Sequence, residues 1–245
     1  MSRAVKLALP ALAALICLSW ADTAMAQEIS LNLGEGGTLT GRIVQLIALI
    51  TILSLAPSIL IMVTSFTRIV VVLSLLRSAI GVQQAPPNAV LISLALFLSA
   101  FIMAPTFTQA YNEAVKPLMN EEMTASEAFD TGIVPFRDFM LKHVRPEDLQ
   151  LFLDMSGTQV EEPEATPIQA LIPAFMISEL KRAFEIGFLI FVPFIIIDMV
   201  VASVLMSMGM MMLPPIMISL PFKLIFFVLV DGWHLITGSL VESFL

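Results

Sequence analysis

Charge is what this chain has least of. Only 13% of its 245 residues are Asp, Glu, Lys or Arg, about half the share of an average soluble domain. Hydrophobic residues make up 58%, more apolar surface than one soluble core of this length can bury. A bilayer is the solvent that suits the excess.

Cysteine and histidine are equally scarce. Cys17 is the single cysteine, and His143 and His234 are the two histidines. A mature chain without Cys17 has no disulfide and no thiolate ligand, and two distant histidines make no zinc site. No metal and no cofactor is expected. Basic clusters are missing too. With a net charge of -8 and no run of Lys or Arg, the chain has no means of holding a phosphate backbone, so nucleic acid is excluded as a partner.

Catalytic motifs are absent in turn. No His-Glu-x-x-His pattern occurs, and residues 237–239 (TGS) lack the spacing of a nucleophile elbow. His234 lies five residues before Ser239, off its helical face. An intramembrane aspartyl protease would need Asp198 and Asp231 as a close dyad, and nothing in the sequence requires that. The chain reads as a non-enzyme.

What is present is mostly helical and apolar. Arg3 and Lys6 precede a short apolar run that ends at Ala24-Met25-Ala26, the pattern of a cleavable signal peptide over residues 1–26. Cleavage there puts the new N-terminus outside the cytoplasm. Residues 27–42, rich in Gly, Ser and Thr, read as a flexible leader. Residues 43–108 read as a first hydrophobic helical hairpin. It holds an uncharged run over 43–63 containing Pro57, a stretch too short to span over 69–76, and a second run over 89–107.

Residues 109–185 differ in kind. They hold fourteen acids and six bases, a difference of eight that equals the excess of the whole chain. Thr124 and Glu127 form a capping box, with Gly132 as a stop. Phe136, Phe139, Met140 and His143 share a helical face. Pro146-Glu147-Asp148 suits a first helical turn, and Thr166 with Gln169 reads as a second capping box. This is an acidic helical insert. Residues 186–245 read as a second hydrophobic hairpin, with one run over 186–206 broken by Pro193 and another over 223–240. The positive-inside rule places Arg68, Arg77 and Lys223 in short cytoplasmic connections and the insert on the periplasmic side. The fold expected is all-α, with about four hydrophobic helical segments and the acidic insert between them.

Two features carry the candidate chemistry. Asp198, Lys223 and Asp231 are ionisable groups in apolar runs, costly in hydrocarbon unless partnered. They read either as a structural ion pair of Lys223 with one aspartate, or as a proton or ion relay in a secondary transporter. Met208, Met210, Met211 and Met212 sit in a Gly/Pro-bounded turn between the last two hydrophobic runs. They read either as plain packing or as a soft constriction that blocks water by dewetting.

Longer motifs add a resemblance. Residues 62–69 (MVTSFTRI), 85–88 (APPN), 94–98 (LALFL), 139–141 (FML), 177–181 (ISELK), 184–188 (FEIGF), 192–198 (VPFIIID), 202–206 (ASVLM), 209–215 (GMMMLPP), 220–223 (LPFK) and 231–233 (DGW) resemble the FliP family. The resemblance implies an export-gate subunit of the flagellar type III secretion apparatus. It also implies a helical ring of about five such subunits with FliQ-type and FliR-type partners, beside FlhA/FlhB-type export proteins. Unfolded flagellar subunits would pass through that ring. It further implies a location in the bacterial inner membrane within the flagellar basal body, with much of the ring above the membrane plane. A methionine gasket would fall at Met210, Met211 and Met212, subunit contacts at Phe139, Phe152 and Glu179, and assembly charges at Asp198 and Lys223.

Overall fold

The computed structural model describes residues 39–82, 84–158, 165–210 and 213–245. The expected signal peptide, most of the leader, the acidic linker at 159–164 and Met211 and Met212 lie outside the described residues. Leu53–Leu245 form one compact unit.

Ten α-helices follow in order, with no strand among the described residues. Helix α1 is Leu39–Met62, α2 Phe66–Ile80 and α3 Asn88–Ala110. A π-helical turn, Tyr111–Val115, carries α3 into α4, Lys116–Met119. The insert supplies α5 (Ala125–Gly132), α6 (Val134–His143) and α7 (Pro146–Ser156). Helix α8, Ile168–Ser207, has 40 residues; α9 is Pro215–Leu229 and α10 Gly232–Glu242.

The shortest apolar stretch of the sequence makes the centre of the fold. In α2, Ile69, Val72, Leu73, Leu76, Ala79 and Ile80 are buried, a stripe at the three-and-four spacing of one helical face. Ile69 to Leu73 pack with Leu91, Ala95 and Ile102 of α3, Ala183 of α8, and Leu240 and Phe244 at the C-terminal end. The other end of α2 packs with Phe194 of α8 and Phe227 of α9. The insert docks separately, with Met140 of α6 against Leu171 and Phe175 of α8 and Val63.

Local signals in the insert are realised. Thr124 Oγ1 accepts the Glu127 N–H, and the Thr124 N–H donates to Glu127 Oε2 at 2.8 Å, a complete capping box. Helix α5 ends at Gly132, and α7 opens on Pro146 with Glu147 and Asp148 in its first turn. Helix α8 opens one residue later than the Thr166 cap expected, with Pro167 at its cap position.

Prolines break less than their number suggests. Helix α8 continues through Pro173 and Pro193, α3 through Pro105 and α9 through Pro221, so the expected break at Pro193 does not occur. Neighbouring helices and local adjustments accommodate the lost backbone bond. The break comes instead within the last apolar run. Helices α9 and α10 meet at 62° around Asp231, whose φ of 49° is left-handed, so the single span expected over 223–240 is two helices. Among the described residues, two helical stretches, Asn88–Met119 and Ile168–Ser207, are long and apolar enough to cross a membrane, or three if the bent pair counts as one.

At 1.5 Å per residue, α8 is about 60 Å long, twice a hydrocarbon core. Up to Ala183 its buried residues hold α2 and the insert; beyond it Gly187 and Phe194 still pack on α2, while Phe184, Phe188, Leu189, Ile196 and Val200 are exposed.

Candidate functional site

Burial of charge, not a cleft, distinguishes this molecule. Arg68 lies in the first turn of α2 and is 1% exposed; Glu179 on α8 is fully buried. Arg68 Nε donates to Glu179 Oε2 at 2.8 Å and Nη2 donates to Oε1 at 2.5 Å, a two-pronged fit of planar guanidinium to carboxylate. The remaining terminal nitrogen, Nη1, donates to the Ser243 carbonyl at 3.2 Å and to Ser243 Oγ at 2.9 Å. The Phe244 ring covers the guanidinium face, with Cζ 3.7 Å from its centroid.

This arrangement bears on two expectations. Arg68 lies in a helix, not in a connecting loop, and is a buried ion-pair member inside the protomer with a partner 111 residues along the chain. Glu179 has no surface left to offer a neighbouring subunit directly. Phe139, the second expected contact, is half-buried. It stacks on Phe244 with centroids 6.1 Å apart and meets Phe175 edge-on at 5.9 Å. Phe152 is half-buried on α7 and lines a shallow surface hollow with Met155, Pro167 and Ala170.

A second pair sits at the other end of α2. Lys223 Nζ on α9 meets Asp198 Oδ2 on α8 at 2.6 Å, and the same ammonium donates to the Ala79 carbonyl at 3.3 Å. Ser219 Oγ donates to the other oxygen, Asp198 Oδ1, at 2.6 Å. Three helices are thus tied at one point, and Lys223, like Arg68, is buried rather than in a connecting loop. Of Arg68, Arg77 and Lys223, Arg77 alone is neither buried nor in an ion pair with a helix neighbour. It is half-buried, and its Nη1 donates to Asn88 Oδ1 at 2.6 Å. Asp231 is not brought to this pair. It is exposed at the bend between α9 and α10.

The methionine turn begins with an ordered helix end. Gly209 takes a left-handed φ of 75°. The Gly209 N–H donates to the Met206 carbonyl and the Met210 N–H to the Leu205 carbonyl, at 3.1 and 3.0 Å, a Schellman closure that favours glycine at that place. Met208, Met210, Leu213, Ile216 and Met217 are all exposed around the turn. Behind it lies an apolar groove of about 570 Å³ between α8 and α9, lined by Val201, Val204, Met208, Phe222 and Ile225 among others.

With that geometry in view, comparison with known proteins is decisive. The FliP family model matches residues 49–240, nearly every helix of the compact unit. The chain belongs to the FliP family. It is 62% identical over 237 residues to the flagellar biosynthetic protein FliP of Caulobacter vibrioides, covering 95% of this chain and 88% of that relative. The Bacillus subtilis flagellar biosynthetic protein FliP is 57% identical over 204 residues, covering 82% of this chain and 91% of the relative. That of Aquifex aeolicus is 53% identical over 219 residues, 88% and 91% respectively. Both ion pairs and the methionine turn fall inside the FliP family match.

Sequence reasoning missed the Arg68–Glu179 pair and the bend at Asp231. The pair left no local trace, since its partners lie on different helices far apart in the chain. The bend did leave one: Asp231-Gly232 is a turn dipeptide, overlooked because the apolar run continues on both sides.

Proposed function

We propose that this chain is a non-catalytic channel subunit of the flagellar protein export gate in the bacterial inner membrane, within the flagellar basal body. It assembles as a ring of about five copies with FliQ-type and FliR-type subunits. Beside FlhA/FlhB-type export proteins, it passes unfolded flagellar subunits outward, with the acidic insert on the periplasmic side.

The observation that carries this reading is that large apolar side chains turn outward while Arg68, Glu179 and Lys223 are buried in ion pairs. Phe97 and Phe101 on α3, Phe184 and Phe188 on α8, and Val228 and Leu229 on α9 are all exposed. Such faces are far too extensive for a free soluble monomer. They suit lipid, sister subunits, or both. The relatives' shared name, flagellar biosynthetic protein, ties that surface to flagellar assembly. The exposed methionine turn between α8 and α9 supplies a soft apolar lip for a gate.

The test is to delete the coding region in its host, complement it, and image the complex purified from membranes. Loss of filament secretion with a multi-copy ring carrying the methionine turns at its axis supports the reading. A monodisperse monomer, or normal flagella without the chain, overturns it.

A further inference from the structure

The end of α10 does more than cap the core. Ser243 supplies two acceptors to Arg68, and Phe244 covers the guanidinium face while stacking on Phe139. Residues 243 and 244 therefore complete the surroundings of an ion pair made by α2 and α8. A single further group links this segment to the insert. His143, at the end of α6 and 5% exposed, has Nδ1 2.7 Å from the Phe139 carbonyl and Nε2 3.3 Å from the Phe244 carbonyl.

Two carbonyls around one imidazole pose a definite problem. A neutral ring carries one N–H and can satisfy only one of them. The imidazolium would donate to both, but it would be a second buried cation beside Arg68. The nearby carboxylate, Glu179, already has both oxygens on Arg68. The other charged groups near by are also basic: Lys142, exposed on α6, acts on His143, and Arg182, half-buried on α8, acts on the Arg68–Glu179 pair. One acid already committed to Arg68 cannot compensate a second buried cation.

We propose that residues 243–244 form a proton-sensitive latch, docked on Arg68 and Phe139 while His143 is neutral and released when His143 takes a proton. The inference rests on the fold of this chain alone, not on the export reading.

The direction of the pH dependence follows from burial. Desolvation pushes the His143 pKa below its ordinary 6.5, and Arg68 and Lys142 add to this, against the opposing pull of the two carbonyls. Above pH 6.5 the imidazole is neutral folded or unfolded, and the latch has its full stability. As pH falls through the depressed folded value, protonation favours the undocked state, and that stability is lost.

Hydrogen exchange by mass spectrometry on the complex purified from membranes tests this without any substitution. Corrected for intrinsic rates, protection of residues 240–245 should fall about tenfold between about pH 7.5 and about pH 5, while α2 stays protected. In His143→Gln, which keeps an N–H donor group and cannot be charged, the fall should vanish. A flat profile in the native chain overturns the proposal, whatever the variant does. The same slope in His143→Gln also overturns it, by assigning the pH response to another group.

Discussion

Arg68 and Glu179 stand 111 residues apart in sequence and meet through two parallel hydrogen bonds with almost no exposure to solvent. They join the central helix α2 to the long helix α8 where the insert begins to dock. Truncating either partner leaves a buried, unpaired charge, a loss of about 3–5 kcal/mol. Glu179→Ala should therefore abolish a cooperative thermal transition of the detergent-solubilised chain or lower it sharply. The double variant Arg68→Met with Glu179→Leu removes both charges and should be more stable than Glu179→Ala alone. If the double variant is the worse of the two, the pair contributes net stability beyond mutual neutralisation.

Lys223 and Asp198 make the matching tie at the other end of α2, and their geometry separates a structural role from a relay. Lys223 is held by Asp198 and the Ala79 carbonyl, while Ser219 occupies the second carboxylate oxygen. Both members are committed to packing contacts among three helices, and Asp231 is absent from the set. Asp198→Asn should weaken the tie by about 1.5–3 kcal/mol and reduce the yield of assembled complex. Asp231→Asn should leave that yield unchanged. Quantifying the complex on native gels beside secretion of filament protein checks this. Normal assembly with lost export in Asp198→Asn would instead favour the relay.

How much of this was legible in the sequence depended on distance along the chain. The Thr124–Glu127 box, the Pro146 start and the shared face of Met140 and His143 are local signals, and helix geometry realises them directly. The stripe from Ile69 to Ile80 was visible as an apolar stretch too short to span, but nothing in it announced a core helix. The partners of Arg68 and Lys223 were illegible because each lies on another helix, and hydropathy treats a lone charge as a loop or a site. Proline misled for a related reason. Pro193 reads as a break in isolation, whereas in the folded chain α8 continues through it.

Gly232 supplies a steric test of the one bend the apolar pattern concealed. A Cβ placed there would stand 2.2 Å from Phe227 Cε2, on a ring that is buried against Trp233 and the end of α2. The turn residue before it, Asp231, already holds a left-handed conformation that aspartate tolerates better than most residues. Gly232→Ala should force the ring aside and cost about 1–3 kcal/mol, read as a lower melting temperature. Adding Phe227→Leu should recover part of the loss. Independent, additive losses would mean that the two residues are not in contact.

The methionine turn can be tested for softness rather than reactivity. Helix α8 closes with ordered hydrogen bonds at Gly209 and Met210, so the turn begins from a rigid end, and what varies beyond it is side-chain chemistry. Met208, Met210 and Met217 are exposed there, flexible thioethers able to reseal around differently shaped surfaces. If the turns line a shared constriction, shortening Met210, Met211 and Met212 to Ala widens it and removes the apolar lip that keeps water out. The assembled variant should then leak ions across proteoliposomes several-fold faster than the native complex, with ring yield unchanged. Replacing the same three by Leu keeps the apolar barrier but stiffens it, so resting leak should stay low while secretion of filament protein slows. An Ala variant that assembles and stays tight would return these methionines to ordinary packing between α8 and α9.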